Sequence, residues 1–395
     1  MRRFTVGFVL LIALVPRPAH AYSVLAHEAN VDAQWDRAIA PLLHARFPHA
    51  TRQDLAAARA FAYGGSVIQD IGYYPFGSHF FSNLMHYVRS GDFIEQLIAD
   101  ATNVDEYAFA LGALAHYSAD NTGHPEAVNR AVAIAYPKLR KKYGDRVTYA
   151  EAPANHVIVE FSFDVVQAAA GAYLSEAYHS FIGFQVATDL LERAFRETYG
   201  IDVNDVLGDE ALALATYRYS VSQLIPEITR TAWETKEDEI RKLTPSVDEN
   251  AFVFSYTKAH YEQEYGRNYR RPGFFARILT FLYRLLPKIG PLRPLSFKTP
   301  TPQTESLFEQ SFRDTRARFG EALAAVGRHR LKLENTDFDT GRPSRVGEYK
   351  LADETYKRLV KLLKKKGYAD APEALRADVD RFYATFSAKG GARDR

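Results

Sequence analysis

The sequence predicts an all-α protein: a multi-helix domain followed by a helical C-terminal extension. Three observations carry this: apolar residues recur at helical spacing in one segment after another, no stretch shows sustained strand-like alternation, and Gly or Pro clusters separate the periodic runs. In chain order, the first helical pattern covers residues 31–45. The strongest covers 105–120, where Tyr107, Phe109, Leu111, Leu114 and Ala115 repeat at helical intervals and Asn103 with Glu106 reads as a capping box. Further helices are expected over 156–170, 175–198, 211–236 and 305–326. No repeat of 20 to 50 residues is visible, which argues against a solenoid. Near residue 250 the chain turns aromatic and basic, and the division expected is 22–250 for the main domain and 251–395 for the extension.

Composition narrows the function classes. The chain has 395 residues, 47% apolar and 25% charged, enough material for a large core and unlike disordered, collagenous or multi-pass membrane proteins. Lys and Arg number 50 against 48 Asp and Glu, a net charge of +2 that does not suit a surface wrapped in nucleic acid. Cysteine is absent, so disulfides, thiolate metal sites and cysteine nucleophiles are excluded together. Any metal must be held by His and carboxylates.

Residues 1–21 have the form of an export signal. Arg2 and Arg3 precede an apolar stretch over 4–15 that is too short to stay in a bilayer as a spanning helix, and Ala19-His20-Ala21 has the small-x-small form of a cleavage site. Cleavage before Tyr22 is expected, with export to a periplasm or the cell exterior. Loss of Arg2, Arg3 and Arg17 leaves a mature net charge of −1.

The chemistry-bearing residues concentrate in the first 160 positions. His116 with Asp120 and His156 with Glu160 are each spaced i, i+4, which sets both side chains on one helix face where they can share a cation. Chance alone gives roughly one or two such pairs in a chain of this composition, and His260 with Glu264 is a third. The first two pairs have company: His27, Asp70, His86 and His124 lie in apolar or Gly-rich surroundings, where an unpartnered imidazole is costly. The bland alternative for each is a hydrogen-bonded core histidine. Glu28, Asp32 and Asp164 read mainly as carboxylates on solvated helix faces, and otherwise as groups that orient imidazoles.

The order of these residues resembles the bacterial zinc-dependent phospholipase C family, whose fold is shared with single-strand-specific zinc nucleases. The resemblance runs over about residues 22–165. It rests on Tyr22-Ser-Val-Leu-Ala-His27, the Asp70 segment, Met85-His86-Tyr87, His116-x-x-x-Asp120-x-x-x-His124 and His156-x-x-x-Glu160. It implies three zinc ions in an all-helical domain. One would sit on Asp70, His86, His116 and Asp120, a second on His124, His156 and Glu160, and the third on the Tyr22 backbone, His27 and a bridging Asp120. Tyr22 stands where the family usually has Trp, a change without consequence for backbone ligation. The step from Asp120 to His124 is two residues shorter than usual, and Asn121-Thr122-Gly123 with Pro125 suggests a helix break that redirects His124. A backbone amine ligates zinc only as a free chain end, which signal cleavage would supply five residues before His27.

Clustered zinc ions imply phosphodiester hydrolysis by an activated water, with Asp70 either as ligand and general base or, equally, as ligand alone. Tyr73, Tyr74, Phe76, Phe80 and Phe81 form an aromatic stretch able to pack acyl chains, a cationic headgroup or a base. His79 inside it reads as a loop residue. Between Arg267 and Gln303, eight Lys or Arg residues (Arg267, Arg270, Arg271, Arg277, Arg284, Lys288, Arg293, Lys298) alternate with Phe, Ile and Leu, with no acid among them. This basic apolar segment suits a phospholipid headgroup layer, or equally a core helix with snorkelling Arg, and is too greasy for nucleic-acid readout. The Lys361, Lys364, Lys365 and Lys366 run reads as a solvated face. The expectation is a phospholipase C releasing diacylglycerol and a phosphorylated headgroup at a membrane surface, with no specific nucleic-acid partner. A zinc nuclease on the same fold and a non-catalytic exported membrane-binding protein are the alternatives.

Overall fold

A computed structural model describes residues 24–169, 185–220, scattered positions between 230 and 249, and 298–390. The signal segment, Tyr22, His260 with Glu264, and the basic apolar segment except for Lys298 lie outside the described residues. So does residue 250, where the chain was divided.

Helix α1 (Val24–Gln34) widens into a π turn (Trp35–Ile39) and continues as α2 (Ala40–Arg46). Thr51 and Asp54 cap each other reciprocally to start α3 (Arg52–Val67). A 3-10 turn (Ile68–Tyr73) leads to α4 (His79–Tyr87) and α5 (Ser90–Asp100). Helix α6 (Val104–Gly123) is followed by a π turn (His124–Val128), α7 (Asn129–Ala135), α8 (Pro137–Tyr143) and α9 (Pro153–Ala169). Then come α10 (Thr188–Tyr199), α11 (Val203–Leu207), α12 (Glu210–Tyr219), α13 (Pro302–Gly327), α14 (Lys350–Lys365) and α15 (Glu373–Gly390). The strands among the described residues are two dipeptides, Thr336–Asp337 and Arg342–Pro343, paired antiparallel in a short hairpin. The protein is all-α.

Helix α6 is the axis of the fold. Every residue from Phe109 to His116 is buried, so it carries no solvated face and is enclosed by α3, α5 and α13. Its contact with α3 depends on two glycines. A Cβ on Gly65 would lie 1.9 Å from the Phe109 carbonyl oxygen, and one on Gly112 would lie 1.9 Å from that of Ala62. Only glycine permits backbones this close. One continuous apolar core runs from Val24 and Leu25 through Phe109 and Leu114 to Phe308, Phe319, Tyr356 and Phe382, so the C-terminal helices share it with the first ones.

Several expectations are corrected. The capping box at α6 is half made: Asn103 accepts from the Glu106 amide, but the Glu106 carboxylate reaches Thr102, bonding its amide and hydroxyl. Of the helix expected over 175–198, residues 175–184 lie outside the described residues and 185–187 are not helical: the Gln185 amide bonds the Ala60 carbonyl, and the helix starts at Thr188. His79 opens helix α4 and is not in a loop. The chain does not break before His124. It widens into the π turn, which accommodates Pro125, a residue with no amide hydrogen, and keeps the helix running into α7. Of the aromatic stretch, Tyr73, Tyr74, Phe80 and Phe81 are core residues, and only Phe76 is exposed. Phe81 stacks on Phe195, and Tyr74 packs against Tyr217.

Candidate metal centre

Six elements deliver the candidate ligands to one buried place. His27 comes from α1, Asp70 from the 3-10 turn and His86 from α4. His116 and Asp120 lie one turn apart on α6, His124 follows a turn later at the start of the π turn, and His156 and Glu160 share a face of α9. None of the eight is more than 2% exposed.

They form three contiguous groups in which ligand-type atoms lie within 4.8 Å of one another: His27, His116 and Asp120; Asp70, His86 and His116; His124, His156 and Glu160. Asp120 ties them together. Its carboxylate lies 3.0 Å from His116 Nε2, 3.4 Å from His86 Nε2 and from His27 Nε2, and 3.8 Å from His124 Nε2. Asp70 faces His86 Nε2 at 3.4 Å and His27 Nε2 at 3.9 Å. His27 stacks on His116 at 4.2 Å between ring centroids, and His124 on His156 at 5.1 Å.

The inner atoms of this cluster are polar, buried and short of partners. His86 Nε2, His116 Nε2, both Asp120 oxygens and Glu160 Oε2 make no hydrogen bond. Such atoms carry a full desolvation cost unless a cation engages them. The outer ring nitrogens of two histidines are held: His86 Nδ1 donates to the Ser82 carbonyl at 2.8 Å and His116 Nδ1 to the Ser66 carbonyl at 2.9 Å. A carbonyl only accepts, so each Nε2 is turned inward with its lone pair available to a metal. The donor set of imidazole and carboxylate, without thiolate, fits zinc.

Electrostatics follow from this crowding. Burial alone would raise the Asp120 carboxyl, and the His116 and His27 imidazoles reverse that, holding it well below the usual carboxylate range. Burial would lower His86, but the facing carboxylates of Asp120 and Asp70 prevail and push it up to about 10. Glu160 is raised by burial and then by Asp120 and Asp70, while His156 is lowered by burial and by its neighbour His124. The two side chains sit 2.6 Å apart, and these opposite shifts both favour the uncharged pair.

The flanking carboxylates depart from the solvated faces expected of them. Glu28 and Asp164 are buried, and Asp164 accepts from the Leu25 and Ala26 amides, capping the first described turn of α1 two residues ahead of His27. Asp32 is bound by Arg59 and Tyr63. Around the cluster stand residues the sequence did not suggest. Phe338 packs its ring on His86 and His116, and Asn129 bonds His156 Nε2 at 2.8 Å. Asp339 lies 3.5 Å from His124 Nδ1. The run Asp337-Phe338-Asp339-Thr340-Gly341 has turn composition, but nothing in it points to a site more than 170 residues away in sequence.

An all-α domain that buries histidines and carboxylates in three adjoining groups has the donor set of a helical metal site. Residues 36–206 match the model of the zinc-dependent phospholipase C family. The span contains Asp70, His86, His116, Asp120, His124, His156 and Glu160, with His27 ahead of it and Asp339 well beyond it. No curated protein and no solved structure matches the chain.

Proposed function

We propose that the protein is an exported zinc-dependent phospholipase C that hydrolyses phospholipids to diacylglycerol and a phosphorylated headgroup. The observation that carries this reading is the gathering of eight buried ligand-type side chains around Asp120, itself one of them, seven of the eight inside the segment that matches the zinc-dependent phospholipase C family. Three zinc ions are assigned as the resemblance implies: one to Asp70, His86, His116 and Asp120, one to His124, His156 and Glu160, and one to His27, Asp120 and the amine and carbonyl of Tyr22. Asp164, capping the first described turn of α1, supports the last by fixing the chain next to the cluster three residues after Tyr22.

Bound there, zinc supplies hydroxide at neutral pH, by lowering the pKa of water towards about 7, and neutralises charge that builds on phosphate. The chain's own groups do the rest. Asp70 orients the attacking water and takes its proton, with His86 fixing its carboxylate from one side. The core around Phe109, Leu111 and Phe338 keeps bulk water from the charges. Lys298, the described end of the basic segment, donates its amide to Ser162 on α9 and holds its ammonium over the Tyr136 ring, so the segment rejoins the fold beside the helix that bears His156 and Glu160. No helix among the described residues is long and apolar enough to cross a membrane.

The test is headgroup release from phosphatidylcholine and mixed phospholipid vesicles by the chain beginning at Tyr22, with EDTA and with zinc restored. Release that EDTA abolishes and zinc restores is expected. A zinc-loaded chain that releases no headgroup from any common phospholipid, or that digests single-stranded oligonucleotides instead, overturns the phospholipase assignment.

A further inference from the structure

A histidine that ligates a metal through one ring nitrogen works best when the other nitrogen is held by an oxygen that fixes ring and tautomer. Ser82 and Ser66 do this for His86 and His116 from within the matched segment. His156 is held by Asn129 of α7, which is itself bonded by the short hairpin near residue 340, and the same hairpin brings the Asp339 carboxylate to 3.5 Å from His124 Nδ1, a nitrogen that makes no hydrogen bond.

The hairpin is clamped onto the cluster. The Phe338 amide bonds the His86 carbonyl, the Thr336 amide and carbonyl both engage the Ser90 hydroxyl, and the Thr336 hydroxyl bonds the Asn121 side chain. Gly341, with φ of +66°, lets the turn approach the end of α6, where a Cβ would lie 2.7 Å from the Asn121 carbonyl oxygen. Asp339 stands at the tip. Its Oδ2 accepts from the hydroxyls of Tyr87 at 2.8 Å and Tyr349 at 2.5 Å, which turns Oδ1 toward His124 Nδ1. Its backbone carbonyl accepts from Asn129 Nδ2 at 2.7 Å. That bond fixes which end of the Asn129 amide is oxygen, so Asn129 Oδ1 accepts from His156 Nε2 and leaves Nδ1 facing Glu160.

We propose that Asp339 is the positioning residue of the His124, His156 and Glu160 centre, setting the tautomer of His124 through its carboxylate and that of His156 through its carbonyl and Asn129. The hairpin and the C-terminal helices that carry it are then a working part of the metal centre, although they lie outside the matched segment. The inference rests on the reading that the cluster binds zinc.

Asp339→Asn is the sharp test. The amide oxygen still accepts from Tyr87 and Tyr349, and the backbone carbonyl stays, but an NH2 group now faces His124 Nδ1. His124 must then carry its hydrogen on Nε2, where it can no longer ligate. Zinc-free chain beginning at Tyr22 is titrated with zinc against a chromophoric chelator, and cobalt(II) loading is followed by its visible absorption. One zinc is expected to weaken about 10- to 100-fold in the variant, with one cobalt band altered and the remaining sites at wild-type affinity. Asn129→Ala is expected to weaken the same zinc. Wild-type affinity for every zinc in folded Asp339→Asn overturns the proposal, as does a uniform weakening of all of them; should that variant fail to fold, the same outcomes in Asn129→Ala decide. A wild-type chain that takes up no zinc overturns the zinc reading and this inference with it.

Discussion

Asp120 faces four imidazoles from four different elements, and no other residue in the cluster bridges all three groups. Its carboxyl is held well below its usual range, because His116 and His27 outweigh the cost of its burial. Asp120→Asn keeps the shape but removes the charge that balances those rings. More than one zinc is expected to be lost and headgroup release to fall by more than about 100-fold, a floor set by what losing a merely supporting partner costs. Metal analysis beside the activity assay checks this, and wild-type zinc content in the variant would refute it. Glu28 has a different character: burial and the neighbouring Asp32 and Asp164 raise it well above the carboxylate range, so it is carried as the neutral acid.

At the scale of elements, the site depends on how closely α3 and α6 pack. The Ser66 carbonyl that holds His116 sits beside Gly65, at the same crossing where Gly112 meets Ala62. Gly112→Ala puts a methyl carbon into a backbone carbonyl, so the helices must separate. The expected cost is on the order of 1–3 kcal/mol, read as a lower urea midpoint, with weaker zinc binding because Ser66 moves away from His116. Unchanged stability and zinc affinity would show that the crossing relaxes freely. The π turn after α6 is a second determinant. The wider turn lets His124 continue the row begun by His116 and Asp120 while Pro125 is accommodated directly behind it.

For the whole molecule, buried titration sets a pH dependence in the absence of metal. Burial and His124 lower His156, so it opposes folding as pH falls below 6.5, while burial raises Glu160, so its share of stability declines as pH rises above the ordinary carboxylate range. His86 acts in the same direction: with its folded value raised to about 10, its contribution is complete below 6.5 and disappears as pH climbs towards 10. EDTA-stripped protein is therefore expected to lose melting temperature steadily from pH 6.5 to 9, each group contributing on the order of 1 kcal/mol per pH unit. With zinc the slope should flatten or reverse, because binding displaces those protons and strengthens with pH. Thermal melts across that range with and without zinc measure both, and a flat profile for the stripped protein would contradict the assignment.

The sequence by itself determined the all-α class, because helical periodicity is local and α6 and α13 express it over their whole lengths. It also singled out the eight ligand-type residues that converge, because i, i+4 spacing on a helix is a local rule and because a histidine in apolar surroundings needs a partner. It misjudged Glu28 and Asp164, whose helical positions say nothing of which neighbour covers them. The aromatic stretch from Tyr73 to Phe81 was equally illegible, since an aromatic residue can serve a ligand or a core and only packing against Tyr217 and Phe195 decides. Tertiary structure alone decided that Asp120 would face four imidazoles, that two glycines would let α3 and α6 nearly touch, and that Asp339 would return to His124. Apart from His116 and His124, each one helical turn from Asp120, these are contacts between residues far apart in sequence, fixed by how helices stack and where the chain returns, and no local pattern encodes them.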